Sequence, residues 1–180
     1  MRVITGKFRG AKLTSPEGNA IRPTTDRVKE AVFSMIMDEI YDSVVVDMFA
    51  GSGSLGIEAI SRGAKKVYFI DSSADAIALT VKNLKHVKAD EDTVVLKGDF
   101  RHNLPRIKEK VSLVFLDPPY RKGLYEAAFE SLLTSNVLVE GSILVVESDV
   151  ESPDYQVPSD FEITKDKRYG KTLVRILEKI

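Results

Sequence analysis

The chain has 180 residues, 43% hydrophobic and 29% charged, with a formal net charge of −1, the size and balance of one globular domain with room for a real core. It has no cysteine and only two histidines, His86 and His102, which excludes disulfides and cysteine metal sites and leaves little from which to build a zinc site, so no metal is expected. No apolar run reaches the roughly 18 residues of a membrane helix, and residues 1–6 form no signal-peptide core, so the expected setting is cytoplasmic.

The small net charge hides an asymmetry. Residues 1–30 carry seven Lys or Arg against three acids, a net +4, and the rest carries −5. A basic arm on an acidic body suggests a polyanionic partner, although a solvated basic face explains the same count. The first element, residues 2–13, reads as a small β-hairpin punctuated by Gly6 and Gly10. Arg2, Lys7, Arg9 and Lys12 alternate there with Phe8 and small residues, a mixture suited to phosphates and stacked bases. Residues 15–19 form a turn. Thr24 or Thr25 then caps a helix whose apolar positions Val28, Ala31, Val32, Met35 and Ile36 recur at helical spacing. Arg22 and Arg27 bracket that cap.

The chain is organised around residues 44–56. Three valines run into Asp47, a loop with Gly51 and Gly53 follows, and a helical pattern opens at Ser54. A buried strand, a tight loop and a helix N-terminus make a ligand site, because small residues and free backbone N–H groups let a ligand approach closely. Gly51, Gly53 and Gly56 also fit the dinucleotide fingerprint G-x-G-x-x-G. Asp47 favours a different ligand. A pyrophosphate beside it would meet like charge, whereas the ammonium and sulfonium of S-adenosylmethionine would be attracted.

Beyond this point strands and helices alternate. Strands are expected at 66–71, 93–99, 111–117 and 141–147, with helices at 74–84 and 125–133, which implies a parallel α/β sheet covered on both faces. The tail, 161–169 and 171–177 around Gly170, reads as an antiparallel hairpin closing one edge. Four successive strands end in an acid: Asp47, Asp71, Asp99 and Asp117. Ligands of open α/β sheets bind outside the carboxyl ends of the strands. Asp71 follows Gly51 at the spacing of a ribose-binding acid. Asp99 is placed to accept from an adenine amine, with Phe100 against the ring. In Asp117-Pro118-Pro119-Tyr120 the prolines stiffen the backbone and remove two N–H donors. Bonds from a base amino group to Asp117 and to the Pro118 carbonyl would aim its lone pair at a methyl carbon, with Tyr120 stacked on the base. The rate would then come from positioning and preorganisation.

Asp-Pro-Pro-Tyr after an Asp-x-Phe-x-Gly-x-Gly loop resembles the class I S-adenosylmethionine-dependent methyltransferases that modify amino nitrogens. Residues 22–30, 47–56, 117–120 and 146–148 fall in the order seen in one family, the bacterial ribosomal small-subunit methyltransferase D enzymes, and residues 4–10 resemble its N-terminal arm. The resemblance covers essentially the whole chain. It implies a Rossmann-like, mostly parallel seven-stranded sheet, S-adenosylmethionine as donor, and N2 of one guanine in 16S rRNA, free or in a 30S assembly intermediate, as acceptor. It implies a basic arm over residues 1–20 on a catalytic domain over 21–180. It also assigns Asp47, Phe49, Ala50, Gly51, Ser52, Gly53, Asp71, Ser72, Asp99 and Phe100 to the cofactor, residues 117–120 to catalysis, and Arg22, Thr24, Asp26 and Arg27 to the target side. Departures from the family are Phe8 in place of a common tryptophan, Asp71 in place of a common glutamate, and Tyr120 in place of a frequent phenylalanine.

The rivals are distinguishable. A DNA amino-methyltransferase acting on adenine N6 or cytosine N4 needs a target-recognition domain for which 180 residues leave little room. A protein-glutamine methyltransferase usually has asparagine where Asp117 stands. A dinucleotide oxidoreductase needs an acid–base group, and neither histidine sits at an expected strand end. A plain RNA-binding module would not bind S-adenosylmethionine. No heptad or spare apolar helix stands out, so a monomer is expected.

Overall fold

The computed structural model describes residues 1–15, 26–89, 91–119, 123–151 and 155–180. Among these residues seven strands form one sheet: β1 Val44–Asp47, β2 Lys66–Asp71, β3 Thr93–Lys97, β4 Val111–Leu116, β5 Leu138–Asp149, β6 Phe161–Tyr169 and β7 Thr172–Lys179, in the order β3-β2-β1-β4-β5-β7-β6. The first five are parallel; β7 adds antiparallel to β5, and β6 adds antiparallel to β7. This is the mostly parallel, Rossmann-like sheet with a C-terminal hairpin that the alternating pattern implied. The chain steps from β1 to β2 on one side and later returns to β4 on the other. The β1/β4 boundary is therefore the switch point at which open α/β sheets leave a crevice for a ligand.

Among the described residues five α-helices cover the sheet: α1 Asp26–Met35, α2 Ser54–Ser61, α3 Ala74–Val87, α4 Phe100–Asn103 and α5 Leu124–Thr134. Residues of α1, α2 and α3 (Phe33, Ile57, Leu84) share one core with Val45, Phe69 and Phe115. Residues of α4 and α5 (Phe100, Phe129) share the other with Val46, Ile70 and Leu144. Alternate strand residues therefore face opposite cores, which is why the inner strands read as continuous apolar runs. The cap of α1 expected at Thr24 or Thr25, and the turn at 16–19, lie outside the described residues.

Two expectations change. The expected hairpin at 2–13 is short: one antiparallel bridge, Arg2 with Lys12, flanked by Val3 N–H on Ala11 O, Gly10 N–H on Val3 O and Leu13 N–H on Met1 O. Gly6 and Gly10 adopt φ of +88° and +83°, and the segment between them folds into tight turns, with Arg9 N–H on Gly6 O and Ala11 N–H on Phe8 O. Its outer backbone groups bond to α2 instead of across a ladder. Ile4 and Thr5 N–H donate to the Glu58 carboxylate at 2.8 and 3.0 Å, Lys7 N–H to Ser61 O at 2.8 Å, and Phe8 N–H to Ser61 Oγ at 3.0 Å. The arm is thus built onto the body, with Val3 and Leu13 in the core. It also explains why all eight residues of α2 are buried: the sheet covers one face and the arm covers the other. The second change concerns Asp99. β3 stops at Lys97, and Asp99 caps the short helix α4, accepting from Arg101 N–H at 2.8 Å.

Candidate active site

The central loop hangs from its neighbours by backbone bonds. Met48 N–H donates to Phe115 O and Ala50 N–H to Ile70 O, each at 3.0 Å, so β4 and β2 grip the two sides of the loop leaving β1. Gly53 closes it with φ +76°, a conformation that suits glycine, and precedes the first turn of α2. Gly56 lies in that turn. A Cβ there would come within 2.3 Å of the Phe69 ring, so this glycine lets α2 press on β2.

The acids meet at this point. Asp47, 3% exposed, accepts from Gly56 N–H at 3.0 Å through Oδ2. Burial pushes its carboxyl up to about 7, Asp117 and Asp71 add to the rise, and the Gly56 bond opposes it. Asp71 holds Gly51 N–H at 2.9 Å and Ser73 N–H at 2.8 Å, so it shapes the glycine loop from the tip of β2. Asp117 follows β4. Burial, then the nearby Glu147 carboxylate, push it well above the ordinary aspartate value. Three of the four sequence-chosen acids therefore converge on the switch point.

Asp99 is differently placed. Arg101 forks onto both of its oxygens, at 2.9 and 2.5 Å, and that contact lowers its carboxyl to about 2. Phe100, beside it, meets Phe49 edge to face at 5.4 Å between centroids, so the two rings form one apolar wall. Ala50 and Ser52 are buried in the loop, and Ser72 is exposed beyond β2. Pro118 is buried and Pro119 exposed. Tyr120 lies outside the described residues, as do Arg22 and Thr24.

Of the basic residues, Arg2, Lys7, Arg9, Lys12 and Arg27 are all exposed. Arg2 pairs with Asp26 at 3.3 Å, tying the arm to the start of α1. Lys7 lies over the Phe8 ring at 5.0 Å and 4.0 Å from Asp92. Phe8 itself packs against the core.

Sequence reasoning missed four residues here. Glu147, 3% exposed, stands one residue beyond the Leu116–Val146 register pair, beside Asp117; it closes the strand expected at 141–147, which was the available signal. Thr80 Oγ1 donates to Gly51 O at 3.0 Å, and Asn83 Nδ2 to Ser52 O at 2.9 Å, both from α3. Lys29, wholly buried, donates to Ser54 Oγ at 3.1 Å. Nothing in a local pattern shows that these side chains reach the loop.

The residues present suit S-adenosylmethionine. A carboxylate cluster matches its cationic end, a loop with glycine at 51 and 53 allows close approach, Asp71 sits at the ribose spacing, and Phe49 and Phe100 offer an apolar wall. Among the described residues no cluster of His, Asp and Glu is arranged to hold a metal ion, and no helix is long and apolar enough to cross a membrane.

Comparison with known proteins agrees with this geometry. The family described as "Conserved hypothetical protein 95" matches residues 1–178. Ribosomal RNA small subunit methyltransferase D of Escherichia coli is 35% identical over 99% of this chain and 90% of its own. The enzyme of the same name from Haemophilus influenzae is 36% identical over 99% and 93%. A solved Escherichia coli structure, yhhF, described as a candidate methyltransferase, superposes with a TM-score of 0.88 at 35% identity, covering 99% of this chain and 97% of that one. With its glycine loop, its strand-end acids and full-length similarity in hand, the chain belongs to the ribosomal RNA small subunit methyltransferase D family.

Proposed function

We propose that this protein transfers a methyl group from S-adenosylmethionine to the exocyclic N2 of a guanine in small-subunit ribosomal RNA. The observation that carries the reading is the convergence of Asp47, Asp71 and Asp117 at the β1/β4 switch point, next to a glycine loop and two consecutive prolines. Full-length similarity to relatives named for small-subunit rRNA methylation supports the RNA target.

When bound, S-adenosylmethionine supplies an electrophilic methyl group. The protein's part is to hold and aim. Asp47 faces the cationic end of the cofactor, Asp71 accepts from ribose hydroxyls while keeping its grip on Gly51, and Phe49 and Phe100 flank the adenine. Asp99 keeps accepting capacity despite Arg101, since each carboxylate oxygen takes more than one bond. The target amino group is a poor nucleophile because its lone pair is delocalised into the ring. Asp117 and the Pro118 carbonyl accept its two N–H bonds and turn the lone pair toward the methyl carbon, and Tyr120 stacks on the base. As the nitrogen acquires positive charge, the Asp117 carboxylate stabilises it and is the acceptor for the departing proton. The guanine must leave its stack to reach this crevice. Arg2, Lys7, Arg9, Lys12, Arg22, Thr24 and Arg27 engage the surrounding RNA, and one protein molecule acts on one particle.

The test is methyl-labelled S-adenosylmethionine with small ribosomal subunits from cells lacking the enzyme, followed by nucleoside analysis. Label in N2-methylguanosine that is lost in Asp117→Ala is the expected result. Label in N6-methyladenine or N4-methylcytosine of DNA would shift the reading to a DNA amino-methyltransferase.

A further inference from the structure

Asn83, on α3, is 1% exposed and uses its whole amide at one junction. Its Oδ1 accepts from Thr14 N–H at 2.8 Å. Its Nδ2 donates to Thr14 O at 3.0 Å and to Ser52 O at 2.9 Å. Thr14 belongs to the N-terminal arm, and Ser52 belongs to the glycine loop. A single side chain therefore fastens the arm to the loop, 69 residues from one and 31 from the other. The junction is doubled nearby. Ser52 Oγ points to Met1 Sδ at 3.8 Å, and Lys29 Nζ bridges Arg2 O at 2.5 Å and Ser54 Oγ at 3.1 Å. Moving the glycine loop away from the arm carries a cost, because a buried amide that loses one partner is left with an unpaired polar group.

We propose that Asn83 is a positioning residue that links the two substrates: filling the cofactor pocket sets the loop, and through Asn83 sets the arm in the form that binds ribosomal RNA. The proposal rests on the reading of the arm and the loop given above. Linkage is reciprocal, so RNA raises cofactor affinity by the same factor. Coupling of this kind commonly amounts to fivefold or more.

The experiment measures affinity for small ribosomal subunits lacking the modification, with and without saturating S-adenosylhomocysteine, for the native protein and for Asn83→Asp. The variant keeps the acceptor for Thr14 N–H and loses both donors. The readout is the ratio of the two affinities, which cancels any loss common to both. The expected ratio is about fivefold or more for the native protein and under about twofold for the variant. A native ratio near one, or an equal ratio in a folded variant, overturns the proposal. Should the variant not fold, hydrogen exchange of the Thr14 amide in the native protein decides: S-adenosylhomocysteine is expected to slow it about fivefold or more, and an unchanged rate overturns the proposal. Failure of S-adenosylhomocysteine to bind would defeat the cofactor reading as well, whereas binding without linkage defeats this inference alone.

Discussion

Lys29 and Glu58 form an ion pair at 3.3 Å with both side chains fully buried. Glu58 also takes Ile4 N–H, Thr5 N–H and Arg62 Nε, and Lys29 also reaches Arg2 O and Ser54 Oγ. Every partner lies on the arm, on α2 or at its end, so the pair is the pin through three elements. Burial lowers the Lys29 ammonium below its ordinary value even with Glu58 beside it. Removing one partner strands the other as a buried charge. Glu58→Gln is expected to cost about 3–5 kcal/mol, read as a lower midpoint in denaturant. Lys29→Met with Glu58→Leu together should cost less than either change alone. Additive losses would show that the two residues act separately.

The pH dependence follows from Asp47. Its folded carboxyl sits at about 7, whereas an unfolded aspartate ionises near 3.9. Between about pH 4 and pH 7 the unfolded chain releases a proton that the folded one keeps, so this group makes stability fall as pH rises through that window. Cofactor affinity runs the other way, because a cationic ligand prefers the carboxylate. Affinity for S-adenosylhomocysteine, which keeps the ammonium, should rise up to about tenfold per pH unit below 7 and then level off. Calorimetric titration from pH 5.5 to 8 checks this, and Asp47→Asn should flatten the curve.

Asp71 carries two duties, so its variants should separate them. Asp71→Asn keeps an acceptor for Gly51 N–H and loses the charge offered to a ribose. Asp71→Ala loses both. A hydrogen bond to a charged group contributes about 1.5–3 kcal/mol, so Asp71→Ala should weaken S-adenosylhomocysteine binding by roughly tenfold to a hundredfold, with Asp71→Asn in between. Equal affinity in all three proteins would remove the ribose role.

Removing residues 1–13 is a poor test of RNA contact, since it would strip Val3 and Leu13 from the core and leave Glu58 short of two partners. Arg9→Gln with Lys12→Gln spares those contacts. If both cations touch phosphates, the slope of log affinity against log salt should shrink by roughly 0.7–0.9 for each, with cofactor binding unchanged. An unaltered slope would take these two residues off the RNA.

Gly56→Ala tests the contact of α2 with β2. Its Cβ would lie 2.3 Å from the Phe69 ring, and overpacking of this kind costs about 1–3 kcal/mol. A melting point matching the native protein would mean that the ring yields freely. Cofactor affinity should fall as well, because Gly56 N–H holds Asp47.

The central stretch was legible because its signals are local. Three valines, an acid and a glycine loop state a strand, a site and a helix start within 13 residues. The alternation behind it gave the parallel sheet, and the acids that end β1 and β2 and follow β4 came together at the switch point. Asp99 was misplaced because Lys97-Gly98-Asp99 continues an apolar strand on paper, while Gly98 at φ +128° and the Arg101 fork turn it into a helix cap. The arm was only partly legible, for a longer-range reason. Residues 2–13 do pair across the arm, with Val3 N–H on Ala11 O, Gly10 N–H on Val3 O and Leu13 N–H on Met1 O, but the donors of Ile4, Thr5 and Phe8 are taken by Glu58 and Ser61, more than 50 positions away. Asn83 and Lys29 stayed invisible for the same reason: both fit a helical pattern, and only the tertiary fold shows what they reach.

The sheet order has one consequence for how the molecule is made. β7 lies between β5 and β6, although it follows both in the chain. During synthesis the edge of β5 therefore waits, unpaired, while β6 emerges, and β5 is the strand that backs Asp117. An open apolar edge invites foreign strands. β6, which ends as the outer strand, carries Glu162, Lys165, Asp166, Lys167 and Arg168, all exposed, and so discourages such pairing once the hairpin has closed. A nascent chain halted before Thr172 should therefore aggregate or recruit a chaperone, and pairing of β7 with β5 covers that edge.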